Sequence, residues 1–239
     1  MKTVLITGGA NGIGKALVEK FVDKYNVVVI DKDEKATKQL QSKYSNIKCY
    51  IETIIEYKKV NNIIDEVYKE YKNIDILINN AAIQTVETIS KLSIDEWKNV
   101  IEVNLTANFY MTQIVSNKMK KGSTILNISS THHDKPRVDH AHYDISKSGI
   151  TTLTKLFGIE LAKKKVTINA LAIGATYTDM NKIFKNNKEV ENIAKNKIPL
   201  KHICTPEEIA DYAINIINNF SSATTGSTFV IDGGRNLHE

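Results

Sequence analysis

Short runs of apolar residues alternate with longer amphipathic stretches along the whole chain. The runs are rich in Val and Ile at consecutive positions, which is typical of strands buried on both faces of a parallel sheet. The stretches between them repeat apolar residues at helical spacing. We therefore predict one α/β domain over residues 1–239, a doubly wound parallel sheet with helices on both faces. No Pro-, Gly- or Ser-rich linker and no internal repeat divides the chain.

The individual elements follow from the same pattern. Strands are expected at 4–6, 27–30, 47–51, 75–79, 123–128, 166–171 and 228–231. The two longest helices are expected at about 94–119 and 143–163. Another helix should start at 205–208, where Thr can cap, Pro fits the first turn and two Glu suit the helix dipole. The charged segment 177–197 is expected to be helical, either as a mobile lid or as an ordinary surface helix.

Composition and charge narrow the functional classes. The 239 residues are 42% hydrophobic and 25% charged, which is ordinary for a globular protein and argues against disorder. The net charge of +5 first suggests a nucleic-acid or membrane-surface partner. However, Arg137 and Arg235 are the chain's arginines, and acidic residues lie among its scattered lysines. This pattern indicates a solvated surface, and we expect neither a nucleic-acid nor a membrane partner.

Cysteine usage and the apolar content indicate the compartment. Cys49 and Cys204 are far apart and form no CxxC pair, so neither a disulfide framework nor a zinc site is indicated, and a reducing compartment is expected. The first residues show no signal-peptide pattern. No apolar stretch approaches the roughly 18 residues of a membrane span. We therefore expect a cytoplasmic protein.

A glycine-rich loop, Thr-Gly-Gly-Ala-Asn-Gly-Ile-Gly at 7–14, follows the first strand and opens the first helix. Its glycines allow a tight turn and close backbone approach to a pyrophosphate, and the helix start offers N–H groups to the anion. Asp31 ends the second strand, where a carboxylate can bind the ribose hydroxyls of NAD and repel a 2′-phosphate. Lys32 follows and would favour that phosphate, so NADP is the alternative to NAD.

A second group of polar residues has the composition of an acid/base site. Tyr143 and Lys147 are four residues apart, on one face of a predicted helix, although such pairs are also common in surface packing. An ammonium beside a phenol lowers the phenol pKa from about 10. Ser130 lies just past the fifth strand, at the sheet edge that faces the ligand crevice. Asn104 lies within a predicted helix, where Asn is a poor choice.

These residues, taken in order, resemble the short-chain dehydrogenase/reductase family in its compact single-domain form. The motifs that carry the resemblance are the loop 7–14, Asn79-Asn80-Ala81-Ala82, Asn104, Ser129-Ser130, the segment 143–147, Thr225-Gly226 and Asp232-Gly233-Gly234. The resemblance implies a Rossmann-like sheet of about seven strands. It also implies an oxidoreductase that transfers a hydride between NAD(H) and an alcohol or carbonyl substrate, and a homotetramer or dimer formed through two long helices. The chain departs from the family pattern at three places. It has Ala82 where Gly is usual, Thr53-Ile54 where Asp-Val is usual, and Ile173 where Pro is usual.

The resemblance also implies roles for single residues. Tyr143 would be the general acid/base, and Ser130 would polarise the substrate oxygen. Lys147 would bind the nicotinamide ribose and lower the Tyr143 pKa, and Asn104 would hold a water of the proton relay. No metal is implied. The cofactor-binding residues implied are Gly8, Asn11, Gly12, Ile13, Gly14, Asp31, Asn80, Ala81, Ala82, Tyr143, Lys147, Gly174, Thr176 and Thr178.

Four histidines lie between Ser130 and Tyr143, namely His132, His133, His140 and His142. Histidines can bind a metal, but this spacing matches no closed zinc motif. A polar substrate wall and a solvated loop are the other interpretations. The loop resembles that of glucose-dehydrogenase-like members, which favours a polar substrate such as a polyol or a sugar.

Three functional hypotheses follow. The leading one is an NAD-dependent short-chain alcohol dehydrogenase or carbonyl reductase, with an NADP-dependent carbonyl reductase, for example an oxoacyl reductase, as its variant. The second is an NAD-binding sensor without turnover, which is disfavoured because Asn104, Ser130, Tyr143 and Lys147 are all present. The third is a nucleic-acid binder, which the scarcity of arginine disfavours.

Overall fold

The computed structural model describes residues 1–178, 187–220 and 223–238. In these ranges seven strands form one sheet in the order β3-β2-β1-β4-β5-β6-β7, and every pair is parallel. This confirms the predicted doubly wound α/β sheet. The strands are β1 Thr3–Thr7, β2 Asn26–Asp31, β3 Ile47–Ile51, β4 Ile76–Asn79, β5 Thr124–Ser130, β6 Thr167–Ile173 and β7 Thr228–Ile231.

Helices cover both faces of this sheet. They are α1 Gly12–Phe21, α2 Glu34–Lys43, α3 Tyr57–Tyr71, α4 Ile94–Ile101, α5 Ala107–Lys118, α6 Ala141–Ala162, α7 Asn187–Lys197, α8 Pro206–Asn215 and α9 Arg235–His238. Alternate residues of β1 serve opposite faces: Val4 and Ile6 pack in the apolar cluster that contains α1 and α8, and Leu5 packs in the cluster that contains α3 and α5. The chain order places the reversal of strand order between β1 and β4, where ligands of such sheets bind.

Several boundaries differ from the prediction by one or two residues, and two differences concern the site. The long helix expected at about 94–119 is interrupted by a π-helical turn, Glu102–Thr106, between α4 and α5. In a π-helical turn the backbone hydrogen bonds join residues five positions apart instead of four. Such turns are frequent at functional sites. Strand β5 runs on to Ser130 instead of ending at Ile128, because Ser129 and Ser130 still pair with β6. The apolar pattern alone missed these two buried polar residues.

The structure also describes the predicted capped helix and part of the charged segment 177–197. Thr205 caps α8 as expected, and its hydroxyl and the Glu208 carboxylate form a complete capping box. Helix α7 confirms helical structure in the last part of 177–197, whereas 179–186 lie outside the described residues. The choice between a lid and a surface helix stays a prediction. Among the residues described, none of the helices has the length and apolar content that crossing a bilayer needs.

Candidate active site

The glycine-rich loop holds the end of β1 against β2 and β4. Gly8 has φ +65°, and its N–H donates to the carbonyl of Ile30 at 2.8 Å. A Cβ on Gly8 would lie 2.8 Å from the Cα of Ala81, and a Cβ on Gly14 would lie 1.9 Å from the carbonyl oxygen of Gly8. Both positions therefore require glycine, and the predicted close backbone approach is present at the crevice.

The start of α1 is left open by the protein. Asn11 is the N-cap residue, but its side chain accepts no N–H of the helix and instead donates to Asp33 at 3.0 Å. By contrast, Asp33, Ser93 and Thr205 cap α2, α4 and α8 with their own oxygens. The first N–H groups of a helix have no partner within it, so those of Gly12, Ile13 and Gly14 are available to a phosphate. The Ile13 side chain itself belongs to the core.

Asp31 connects the second strand to the glycine-rich loop. Its Oδ2 accepts the N–H of Ala10 at 2.9 Å, and its Oδ1 accepts the N–H of Asp33 at 2.9 Å. Each carboxylate oxygen has a further lone pair, which a ribose hydroxyl can use. The residue therefore has the position and the hydrogen-bonding capacity that the sequence predicted for it.

Asn80 has a structural role in addition to the cofactor contact that the resemblance implies. Its side-chain amide donates to the carbonyls of Thr7 and Gly8, at 3.2 and 2.9 Å. The hydroxyl of Thr7 in turn accepts the N–H groups of Asn80 and Ala81, at 3.1 and 3.2 Å. These contacts lock the segment 79–82 against the glycine-rich loop. Sequence reasoning missed the role of Thr7, although a polar residue at the buried end of an apolar strand was a signal for it.

The segment after β6 closes the other side of the crevice. A Cβ on Gly174 would lie 2.7 Å from the Cβ of Asp232, so this glycine allows close contact with the chain after β7. Thr176 pairs with Cys204 in an isolated parallel bridge. The methyl group of Thr178 lies 3.5 Å from the place that a Cβ on Gly12 would occupy. Thr178 is therefore brought to the glycine-rich loop, whereas Thr176 contacts Gly174 and Cys204.

Ser130, Tyr143 and Lys147 meet at the carboxyl end of β5. All three are buried, and Tyr143 and Lys147 lie one turn apart near the start of α6. The Ser130 side chain lies close enough to the Tyr143 hydroxyl to lower its pKa. The Lys147 ammonium donates to the carbonyl of Ile128 at 3.0 Å and lies 5.5 Å from the centroid of the Tyr143 ring. The arrangement can hold a substrate oxygen between a phenol and a hydroxyl.

The electrostatics of this group correct one expectation. Burial raises the pKa of Tyr143 to about 12, and the Ser130 side chain only partly opposes this. Burial also lowers the pKa of Lys147 to about 8. The expected lowering of the Tyr143 pKa by Lys147 is therefore wrong for the protein by itself, because the desolvation of the phenolate outweighs the nearby ammonium. The phenol stays protonated at neutral pH.

Asn104, in the π-helical turn, is fully engaged with the protein. Its Oδ1 accepts the N–H of Ile83 at 2.8 Å, and its Nδ2 donates to the Ile83 carbonyl at 2.9 Å and to the Ser146 hydroxyl at 3.1 Å. The Ser146 hydroxyl donates to the carbonyl of Tyr143 at 2.6 Å. Asn104 thus connects the chain after β4 to the helix that carries Tyr143, and none of its hydrogen bonds to described residues reaches the Tyr143 phenol.

Comparisons with known proteins agree with this geometry. The sequence profile of a family described as enoyl-(acyl carrier protein) reductase matches residues 8–236. The chain is 31% identical to glucose 1-dehydrogenase 2 of Bacillus subtilis (strain 168), over 99% of this chain and 95% of that protein. It is 32% identical to the acetoacetyl-CoA reductase of Acinetobacter sp. (strain RA3849), over 99% of this chain and 98% of that protein.

The chain belongs to the short-chain dehydrogenase/reductase family. A solved structure of a member described as glucose/ribitol dehydrogenase, from Brucella melitensis, superposes with a TM-score of 0.92. It covers 98% of this chain and 96% of its own, and at 24% identity it supports the fold alone. As a member of this family the protein is an oxidoreductase that transfers a hydride with an NAD(P) cofactor.

In this short-chain dehydrogenase/reductase three of the four loop histidines have separate partners for a ring nitrogen. The Nδ1 of His132 lies 2.5 Å from Oδ1 of Asp144, and the Nε2 of His142 lies 2.6 Å from the Thr85 hydroxyl. The Nδ1 of His140 lies 2.7 Å from the Val138 carbonyl. His132 and His142 are buried, so these two side chains do not belong to a solvated surface, and the substrate wall stays a prediction. Sequence reasoning noticed these histidines but missed Asp144, the acid that completes one pair.

Potential metal ligands gather elsewhere in the described part of the chain. His202, Cys204 and Glu208 place their ligand atoms within 4.8 Å of one another at the start of α8. The Nε2 of His202 already lies 2.9 and 2.8 Å from the two carboxylate oxygens of Glu208. One of those oxygens also accepts the N–H of Thr205 in the capping box. The cluster is therefore engaged in holding the helix start.

Proposed function

We propose that this protein is an NAD-dependent alcohol dehydrogenase or carbonyl reductase in which Tyr143 is the general acid/base. Ser130 holds and polarises the substrate oxygen, and Lys147 binds the nicotinamide ribose. The observation that carries the proposal is the burial of Ser130, Tyr143 and Lys147 together at the carboxyl end of β5, with the Lys147 ammonium 5.5 Å from the centroid of the Tyr143 ring and one helical turn further on. The carboxyl ends of neighbouring strands, where these parallel sheets bind ligands, surround the group.

The crevice fits a dinucleotide on its own geometry. The open start of α1 offers N–H groups to the pyrophosphate, and glycines at 8 and 14 stand where a Cβ would meet backbone. A bound nicotinamide cofactor accepts or supplies the hydride, and its oxidised ring is positively charged. Gly174, Thr176 and Thr178 would line the nicotinamide side, and Asn80, Ala81 and Ala82 the adenosine ribose side.

Proton transfer is assigned to the Tyr143 phenol. With a pKa raised to about 12, the phenol holds its proton at neutral pH and is ready to give it to a carbonyl oxygen during reduction. Alcohol oxidation needs the phenolate, and positive charge beside the ring would lower the pKa towards neutrality. Asn104 acts by fixing the helix through Ser146. We also propose that Asn104 holds a water of the proton relay, as the family resemblance implies.

The cofactor we propose is NAD, and NADP is the alternative. Asp31 accepts backbone N–H groups with both oxygens and would place a negative charge beside a 2′-phosphate. Lys32 is exposed next to it and is the residue that would favour NADP. For the substrate we propose a polar alcohol or ketone, because Ser130 and His132 give the pocket polar walls and relatives include a glucose dehydrogenase and an acetoacetyl-CoA reductase.

We also propose a homo-oligomer, a tetramer or dimer, built through α5 and α6. Phe109 on α5, and Leu156 and Ile159 on α6, expose 40%, 57% and 73% of their surface. Apolar patches of this kind on adjacent helices are typical of subunit interfaces. A molar mass of 26.8 kDa, that of one chain, measured by light scattering of the purified protein would contradict this proposal.

We propose the cytoplasm as the compartment. The free thiols of Cys49 and Cys204 fit its reducing conditions.

The substitution Tyr143→Phe tests the function. We expect kcat to fall by about 10²- to 10⁴-fold, because the proton donor is lost. Binding of NADH, followed by the fluorescence of its nicotinamide ring, should be retained. Tyr110→Phe is the matched control, since that buried phenol has no hydrogen-bond partner among the described residues. Near-normal kcat in Tyr143→Phe would refute the mechanism, and NAD binding without turnover of any carbonyl in a broad panel would favour a sensor.

A further inference from the structure

A buried carboxylate–imidazole pair lies beside the reacting groups. Asp144 is in the first turn of α6, directly after Tyr143, and His132 is in the short 3₁₀ turn that follows β5. The Nδ1 of His132 lies 2.5 Å from Oδ1 of Asp144, and the two residues are only 8% and 4% exposed. A buried hydrogen bond to a charged group is among the stronger polar contacts in proteins.

The second oxygen of Asp144 holds the other end of the same loop. Its Oδ2 accepts the backbone N–H of Arg137 at 2.6 Å. One carboxylate thereby joins His132 and Arg137, which are five residues apart, to the helix that carries Tyr143. The segment between them, 132–137, is the part of the substrate wall that immediately follows Ser130. We call it the Asp144-bound loop.

The Asp144-bound loop touches both reacting side chains. The N–H of His132 donates to the Ser130 hydroxyl oxygen at 3.3 Å, which leaves the Ser130 proton free for another acceptor. The imidazole ring stands perpendicular to the Tyr143 ring, with the centroids 5.4 Å apart. Movement of His132 would therefore disturb the positions of Ser130 and Tyr143 together.

The charge state of His132 follows from its surroundings. Burial lowers its pKa below the ordinary 6.5, the hydrogen bond to Asp144 acts in the opposite direction, and Arg137 and His140 add to the lowering. Tyr143 faces it from α6 as a neutral phenol. The imidazole is then neutral at physiological pH and its Nδ1 must carry the proton, because a carboxylate can only accept. Its Nε2 is consequently a hydrogen-bond acceptor.

We propose that Asp144 is a positioning residue of the hydride-transfer reaction, which holds His132 in the Nδ1–H tautomer and fixes the Asp144-bound loop against Ser130 and Tyr143. This inference rests on the proposed function. It adds a residue that touches neither substrate nor cofactor and acts through its neighbours.

The variant Asp144→Asn separates this role from mere packing. Asp144 accepts from two donors, His132 Nδ1–H and Arg137 N–H, whereas an Asn at this position offers one oxygen acceptor and one NH₂ donor of almost the same size. The backbone N–H of Arg137 cannot change, so it keeps the oxygen. The NH₂ group then faces His132, whose Nδ1 must become an acceptor. The variant should therefore change His132 from the Nδ1–H to the Nε2–H tautomer, and the protein should keep its fold.

The primary measurement is histidine nitrogen NMR on the full-length protein, with His132 assigned by the loss of its signals in His132→Asn. We expect the Nδ1–H tautomer in the wild type at pH 7.5 and the Nε2–H tautomer in Asp144→Asn. Asp134→Asn is the matched control, because Asp134 is an exposed acid of the same loop and makes no described contact with His132. An imidazolium or an Nε2–H tautomer in the wild type would overturn the proposal, even if Asp144→Asn failed to fold.

Steady-state kinetics provide the second measurement. We expect Asp144→Asn to lower kcat/KM by about 10²-fold, the usual cost of a small misplacement of reacting groups. The dissociation constant for NADH and the parameters of Asp134→Asn should match the wild type. Wild-type kcat/KM in Asp144→Asn would sink the positioning role. The proposed function fails on a different result, namely undiminished turnover in Tyr143→Phe, and the NMR measurement needs no turnover at all.

Discussion

The two sides of the crevice are built in different ways. On the cofactor side the decisive partners are backbone atoms: Asp31 binds the N–H of Ala10, and Asn80 binds the carbonyls of Thr7 and Gly8. On the substrate side two buried histidines are held by other side chains, His132 by Asp144 and His142 by Thr85. The cofactor side therefore depends on close approach between main-chain segments. The substrate side depends on pairs of side chains that are distant in the sequence.

This difference predicts different failures. A substitution on the cofactor side that adds volume forces the main chain apart and should cost stability together with cofactor affinity. A substitution of a paired side chain on the substrate side leaves the main chain in place and should cost turnover. The loss of kcat in Tyr143→Phe and the tautomer reversal in Asp144→Asn are the substrate-side cases. Three further measurements test the contrast.

The largest effect is expected for Gly14→Ala. In a helix Ala is favoured over Gly by about 1 kcal/mol, so propensity alone predicts a more stable protein. Here the added Cβ would lie 1.9 Å from the carbonyl oxygen of Gly8 and 2.7 Å from the Asn80 amide nitrogen. Overpacking of this kind costs about 3 kcal/mol or more. We expect the free energy of unfolding, from urea titration, to fall by about that amount and NADH binding to be lost.

Gly122→Ala is the control for this substitution. Gly122 has φ +87° and nothing within 4 Å of an added Cβ, so it carries only the backbone cost of about 1 kcal/mol. If the free energy of unfolding falls equally in the two variants, close contact between main-chain segments does not determine the stability of the cofactor side. If Gly14→Ala is more stable than the wild type, helix propensity outweighs the steric clash.

The same contrast explains how much the sequence revealed. Strands of consecutive Val and Ile, such as Val27 to Ile30, can only be buried on both faces, so the parallel sheet followed from the pattern. The glycine-rich loop was equally readable, because glycine marks backbone constraints locally. Asn104 was singled out as a poor helix residue, but the π-helical turn that accommodates it was not expected.

What the sequence did not reveal depends on long-range pairing and on burial. Asp144 and His132 meet only because β5, the 3₁₀ turn and α6 fold back on one another, and no local pattern marks that contact. The expected effect of Lys147 on Tyr143 was wrong for a related reason. Spacing places the two residues on one face, but it does not show that both are buried, and burial raises the phenol pKa.

An intermediate effect is expected for Asp31→Asn, which removes the charge and keeps one of the two acceptor oxygens that bind the N–H groups of Ala10 and Asp33. If Asp31 repels a 2′-phosphate, the ratio of kcat/KM for NADPH to that for NADH should rise about 10-fold or more, since hydrogen bonds to a charged group are worth about 1.5–3 kcal/mol. Asp33→Asn is the matched control, because Asp33 lies two residues further on and Asn can also cap α2. A wild-type enzyme that already prefers NADPH would remove the argument for NAD.

The smallest effect concerns acid pH and the substrate side. Burial lowers the pKa of His132 and of His142 below the 6.5 of the unfolded chain. The stability that these neutral imidazoles contribute is therefore complete above about pH 6.5 and declines as the pH falls below it, by up to about 1.4 kcal/mol per unit of pKa difference. The carboxyl groups whose pKa is lowered, such as Glu19 and Glu208, titrate below their ordinary 4.5, so the window from pH 6.5 to 5 isolates the histidines.

His142→Asn should flatten this decline. The Nδ1 of His142 is buried and has no hydrogen-bond partner among the described residues, so protonation would place an unpaired charged N–H in the protein interior. We expect the difference in Tm between pH 7.5 and 5.5 to be smaller in His142→Asn than in the wild type. His140→Asn, whose ring reaches the surface of the same loop, should keep the wild-type difference. If His142→Asn retains the difference in full, the acid sensitivity does not arise from His142, and the buried His132 becomes the residue to test.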